Sequence, residues 1–302
     1  MIYNLSGVTR AFCLSFALVL TLVSTGYGLI NPTSAEAPAT ASVTSTISEG
    51  AAEFRLEAVP ALPPAPQASD QTGPASNKSG LGGLARRSIR RGLEDQKEIY
   101  TAPFRPSNLK WDALFLAGTA ALIATDRRIS RTLPDTHLNI SRDISNVSLV
   151  STSIVSGAIW VYGRKGDHPH ARETGDIELE TLSNTFIVYT AMQFLAGRER
   201  PDEGTGNGRW WKHNGFNSSF PGGHAMFAWA MATVLAHEYP RPRYQALAYL
   251  AATAVTVGRF VGREHFASDV AIGTALGYLI GTHIFHARCK VGISDACHAR
   301  KF

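Results

Sequence analysis

Cysteine is scarce. The 302 residues contain three, at Cys13, Cys289 and Cys297. With no C-x-x-C pair among them, a disulfide-framework miniprotein, a zinc ribbon and a dithiol redox site are excluded. Charge is thin as well: Asp, Glu, Lys and Arg make up 18% of the chain, below the roughly 25% of ordinary soluble domains. The net charge of +5 is spread along the sequence rather than gathered in a patch, so no nucleic-acid partner is expected. Period-two alternation is missing from the apolar stretches, which argues against a sheet. Mean hydropathy is near zero, low for a chain that is mostly membrane.

What is present begins with an export signal. Arg10 is the only charge before Glu36, and it precedes an apolar run over 11–30 that includes Phe12, Leu14, Phe16, Leu18, Val19 and Leu20. A short basic region followed by such a run reads as a secretory signal or an uncleaved signal anchor. Residues 31–80 hold seven of the fifteen prolines in a background of Ala, Ser and Thr. That composition cannot bury enough apolar area to offset its ordering entropy, so a disordered linker is expected. The remainder, 81–302, is expected to form one helical domain with its catalytic core at about 111–286. Its start carries Arg86, Arg87, Arg90 and Arg91, which suit anionic lipid headgroups or a solvated edge equally well.

Six charge-poor segments rich in Ala, Leu and Gly recur at 111–125, 144–162, 182–197, 225–236, 244–258 and 270–286. They lack proline and are separated by charged or Gly/Pro-containing connectors, so the expected architecture is all-α, a six-helix bundle. Most of these segments are shorter than the ~20 residues that span a bilayer comfortably. A soluble bundle and a thin membrane bundle therefore both stay open.

Three connectors carry chemistry. Gln193 to Pro201, with Arg198 and Arg200, follows the third segment. Phe220-Pro221-Gly222-Gly223-His224 opens the fourth. Gly258 to Asp269, with Arg259, Arg263, Glu264 and His265, joins the fifth to the sixth. If neighbouring helices alternate in direction, all three lie at one end of the bundle. The planar forks of Arg200 and Arg259 can hold the oxygens of a tetrahedral oxyanion. Gly222 and Gly223 allow close backbone approach at a helix start, where N–H groups favour anions. His265 and Asp269 are four apart; a carboxylate bonded to one imidazole nitrogen leaves the other free to attack. His224 can then protonate the leaving oxygen. Two histidines and one carboxylate also make a possible metal site, but the paired arginines would repel a cation. No metal is expected.

These motifs resemble the type 2 phosphatidic acid phosphatase and vanadium haloperoxidase superfamily, whose signature is K-x6-R-P, then P-S-G-H, then S-R-x5-H-x3-D. Arg200 and Pro201 match the first part, Pro221, Gly223 and His224 the second, and Arg259, His265 and Asp269 the third. The resemblance implies an all-α fold in which His265 becomes phosphorylated, Asp269 orients it, and His224 is the acid. It further implies that Arg200, Arg259 and the Gly222-Gly223 turn hold the phosphate. Three positions depart: Gln193 stands at the lysine, Gly222 at the second-motif serine and Gly258 at the third-motif serine. Losing the lysine and the second-motif serine weakens the oxyanion cradle by about 1–3 kcal/mol each. Gln193 retains a neutral donor, and Arg198, Arg263 or Lys212 are candidates to restore charge.

The expected function is an exported phosphatase acting on phosphate monoesters, with lipid phosphates and isoprenoid pyrophosphates as possible substrates and with membrane association. The resemblance implies no cofactor, unless vanadate supports haloperoxidase chemistry. A non-catalytic phosphate or lipid-headgroup binder is the alternative from another class. Cys289 and Cys297, eight apart, are candidates for a disulfide in an oxidising compartment. Six spans following an anchored signal would put the catalytic face in the cytoplasm, so a non-threading exported domain is weighed equally. The seven Lys and Arg of 81–110 speak for the cytoplasmic side.

Overall fold

The computed structural model describes residues 81–134, 136–213 and 215–297. The expected export segment and linker, residues 1–80, lie outside the described residues. The fold is all-α. In chain order the helices are α1 (Leu81–Thr101), α2 (Leu109–Thr132), α3 (Leu138–Lys165), α4 (Pro169–Ala196), α5 (Gly223–Glu238), α6 (Pro242–Val261) and α7 (Ala267–Arg288). Among the described residues there is no strand, only an isolated bridge between Val291 and Ser294.

Helices α2 to α7 correspond to the six expected segments, and α1 is additional. Its sequence is too charged to register as an apolar segment. The six are also longer than their apolar stretches, running from 20 to 28 residues except α5 with 16. The largest difference is α4, which starts at Pro169 rather than near 182. Glu173, Asp176, Glu178 and Glu180 interrupt the apolar pattern of its first half, yet Glu173 and Glu178 are buried.

Short α5 is the axis of the bundle. Ala225, Met226, Ala228, Ala230, Ala232 and Val234 are buried on all sides of it, as expected of a helix apolar all round. α7 reaches it through Gly273, Gly277 and Gly281, four apart on one face. A Cβ there would stand 2.4 Å from Gly222 O, 2.2 Å from Met226 O and 2.9 Å from Ala230 O respectively. Only glycine permits the two backbones to touch along this seam. Met226, Val234, Ile280, Ile284 and Phe285 then pack with Ile177 and Val188 of α4. Each large apolar side chain buried this way contributes about 1.5–3 kcal/mol. A disulfide between Cys289 and Cys297 closes the chain just past α7.

Two outer surfaces are unlike those of an ordinary water-facing bundle. α3 and α7 are long and apolar enough to cross a membrane, by length and composition. The most apolar window of α7 is 61% buried, as suits a core helix, but that of α3 is only 17% buried. α3 exposes Ile144, Val147, Ile154 and Val161. α1 is inverted. Its inward side is mostly polar: Asp95 pairs with Arg288 at 2.7 Å and Gln96 donates to Asn184 Oδ1 at 2.7 Å, with Ile99 as its apolar contact to the core. Its outward side carries exposed Ile89, Leu93 and Tyr100 beside Arg86, Arg90 and Arg91.

Candidate active site

The ends of α4 and α6 and the starts of α5 and α7 lie together, so the three motif-bearing connectors converge at one end of the bundle. α4 is stopped by Gly197, whose left-handed φ of 48° turns the chain while its N–H bonds Gln193 O. Arg198 then folds back into the protein. Its Nη1 donates to Asp269 Oδ1 at 2.6 Å and its Nη2 to Asp126 Oδ2 at 2.8 Å. The guanidinium lies 4.3 Å from the Phe266 ring centroid and 4.8 Å from that of Trp210. It is 2% exposed, and so are its carboxylate partners to within 2%. Arg198 is therefore a buried strut neutralised by two acids, not a replacement cation for the cradle.

Asp269 sits in the first turn of α7 and accepts from the N–H of Phe266 at 2.9 Å, closing the helix start. Its other bonds are from Arg198 and from the Ser219 hydroxyl. This differs from the expected carboxylate–imidazole pair. His265 precedes α7 instead of lying in its helical turn, and its Nδ1 is 2.7 Å from the backbone carbonyl of Ser219. A carbonyl oxygen only accepts, so Nδ1 carries the proton and Nε2 the lone pair. Asp269 acts on His265 at one remove, by holding Ser219. Asp126, from the far part of α2, completes the frame by accepting from the Ser268 N–H at 3.0 Å. Both carboxylates also suit the positive end of the α7 dipole.

His224, the second residue of α5, faces His265 with ring centroids 6.5 Å apart. Arg200 and Arg259 flank the pair. Arg259 is held by Ser145 Oγ at 3.1 Å and by Asn146, both on α3. Glu264 ties the cations together, at 2.7 Å from Arg200, 2.8 Å from Arg142 and 3.7 Å from Arg259. Burial first, then the Arg200 guanidinium, push His265 down to about 3. Burial, Arg259 and Arg200 push His224 down to about 4. Without substrate, both rings are neutral at physiological pH.

The three departures have local explanations. Gln193 is 1% exposed and bonded entirely to backbone: Nε2 to Ser218 O at 2.9 Å, and Oε1 to the Ser218 N–H at 3.0 Å. Expected in the phosphate cradle, it instead clamps the loop that presents the Ser219 carbonyl. At Gly222 a Cβ would stand 3.0 Å from Asp269 O, and at Gly258 2.5 Å from Ser141 O, so serine fits poorly at either. Of the other candidate cations, Lys212 is exposed and acts on Glu199, and Arg263 reaches the Leu133 carbonyl. Sequence reasoning missed Asp126, Ser145, Asn146 and Ser219. Asp126 lay in an Asp-Arg-Arg run that reads as a connector, and the other three had no motif to mark them.

Residues 179–292 match the family model described as the PAP2 superfamily. A lipid A 1-phosphatase of Porphyromonas gingivalis is 36% identical over 96 residues, which are 31% of this chain and 19% of that protein. The chain thus spans about a fifth of that relative. No solved structure matches. Residues 179–292, which carry these histidines and arginines, are thus similar to the PAP2 superfamily both in sequence and in the convergence of the motifs at one end of the bundle.

Proposed function

We propose that the protein is an exported, membrane-associated phosphatase that hydrolyses phosphate monoesters of lipids through a phosphohistidine on His265. One observation carries the reading: the Ser219 carbonyl commits Nδ1 of His265 as a donor, leaving Nε2 as a nucleophile beside two arginines and opposite a second histidine. In the first step Nε2 attacks phosphorus and the P–N bond forms as the P–O bond to the alcohol breaks. His224 gives its proton to the departing oxygen, and the alcohol leaves. In the second step His224, now neutral, takes a proton from water as that water attacks phosphorus. Inorganic phosphate and free His265 result.

Arg200 and Arg259 offset the negative charge on the transferring group. A bound phosphate dianion also counters the field that depresses His224, which favours its acid form. The same pocket chemistry suits vanadate, so halide oxidation with added vanadate is a distinct outcome to measure. The Cys289–Cys297 disulfide supports an oxidising compartment. The bare apolar face of α3 and the inverted α1 support contact with a lipid surface.

The test is phosphate release by purified full-length protein, wild type beside His265→Ala, from an aryl phosphate and a short-chain phosphatidic acid, with chelator present. Release abolished in the variant and blocked by vanadate is expected. Retained phosphate binding without release in the wild type would favour the binder reading, for which the missing motif lysine is the supporting observation.

A further inference from the structure

A cavity of about 540 Å³ lies between α3, α4 and α5. One end is formed by Gly223 and His224, against which Tyr189 of α4 packs. The walls are apolar: Leu149, Leu179, Leu182, Phe227 and Met231. The far end carries Glu178, eleven residues before Tyr189 on α4 and therefore about 16 Å along the helix. Ser156 of α3 stands beside it. Glu178 is 3% exposed and Ser156 6% exposed. Glu178 Oε1 and Ser156 Oγ have no partner other than each other, the Ser156 hydroxyl lying close enough to interact with the Glu178 carboxyl. A buried acid–hydroxyl pair at the inner end of an apolar cavity keeps donor and acceptor capacity that the cavity walls cannot fill.

The position of the cavity says what that something is attached to. His224 is the residue that protonates the leaving oxygen, so the alcohol leaves from the phosphate on the His224 side, where the cavity begins. The cavity opens sideways between α3 and α4, where Ser153, Gly157 and Leu179 are exposed, onto the apolar flank of α3. A chain can enter there from hydrocarbon.

We propose that the cavity receives the alcohol portion of the substrate, a hydrocarbon chain bearing a hydroxyl group that pairs with Glu178 and Ser156. The inference rests on the phosphatase reading above. Burial raises Glu178 to about 8, so at neutral pH its carboxyl is protonated and both donates and accepts, as a hydroxyl partner requires. A plain alkyl chain leaves the remaining capacity of this pair unfilled. A hydroxylated chain fills it, and sites built this way reject the analogue that lacks the group.

The experiment compares kcat/KM for phenyl phosphate, dodecyl phosphate and ω-hydroxydodecyl phosphate below their aggregation thresholds. The wild type is expected to prefer the hydroxylated chain over the plain one by about tenfold, the value of one good hydrogen bond. Glu178→Leu should abolish or invert that preference, while Glu178→Gln keeps most of it. Gly157→Leu is the second variant. A Cβ at Gly157 meets nothing within 4 Å, so the new side chain fills the cavity without disturbing the backbone. It should lower the ratio of chain to phenyl turnover.

Equal use of the two alkyl substrates by the wild type overturns the inference and leaves the phosphatase reading standing. So does a fall in all three substrates together in Glu178→Leu and Gly157→Leu. No turnover of any substrate by the wild type removes the phosphatase reading and this inference with it.

Discussion

Arg198 offers the sharpest quantitative prediction, because it holds two buried carboxylates at once. Replacing it with Met keeps the unbranched stem of the side chain but removes the guanidinium that packs on Phe266 and Trp210, and leaves Asp126 and Asp269 facing each other without a cation. Removing one partner of a buried ion pair costs about 3–5 kcal/mol, and the lost cation–aromatic contacts add about 1 kcal/mol. Against a total stability of roughly 5–15 kcal/mol, Arg198→Met should bring the fold close to its limit. Arg198→Lys keeps the charge but not the fork. A point charge cannot reach Asp126, Asp269 and Ser268 together, so a loss of about 2 kcal/mol is expected.

The deficit of the Met variant should depend on pH with a definite sign. Burial already raises Asp269 to about 6 against the pull of Arg198, so without the guanidinium its folded-state carboxyl binds a proton more tightly still. The variant is therefore penalised fully at neutral pH and recovers relative to wild type as pH falls and a proton enters the site. Urea unfolding at pH 8 and pH 5 measures both quantities. A loss under about 1 kcal/mol for Met, or a deficit that grows on acidification, would refute the strut.

The depressed histidines predict an acid-shifted profile. Catalysis requires His265 neutral and His224 protonated, so kcat/KM should decline as pH rises through about 4 and also as it falls below about 3. Arg200→Gln removes a cation that depresses both rings, so it should move both limbs upward in pH while lowering the rate; unmoved limbs contradict the electrostatic cause. Gly222→Ser restores the family hydroxyl but presses a Cβ against Asp269 O at 3.0 Å and Val270 Cα at 3.1 Å. It should lower stability by about 1–3 kcal/mol without raising kcat, and an unchanged melting temperature would show that α7 has room. Finally, Ile89→Ser with Leu93→Ser should weaken binding of the chain to vesicles containing phosphatidylglycerol, read by flotation, while arginine charge reversal should act only on the anionic vesicles. Binding indifferent to both changes would remove α1 from the lipid surface.

The helices were legible because α2, α3, α5, α6 and α7 carry long charge-poor stretches rich in small and apolar residues. α4 was half hidden because its buried glutamates look like a solvated connector, and α1 because its arginines look like a tail. The motif residues were legible as chemical types, and their convergence followed from alternation of helix direction. What sequence could not supply was the assignment of partners. Spacing made Asp269 the natural partner of His265, but the chain turns between them. The carboxylate meets Arg198 and Ser219, and the imidazole meets a backbone carbonyl. Backbone acceptors leave no trace in side-chain identity. Gln193 shows the same limit: its motif position pointed to the phosphate, while its amide is fully engaged with the Ser218 backbone.

The central claim is that Nε2 of His265 takes the phosphoryl group. It is tested most directly by rapid quench of the enzyme during turnover, followed by peptide mass spectrometry under alkaline conditions that preserve phosphohistidine. The account predicts one phosphoryl group on the peptide containing His265, absent from His265→Ala. In His224→Ala it should still form from an aryl phosphate, whose leaving group needs little protonation. Continued turnover with no phosphoryl group on His265, or with the group on another residue, would contradict it.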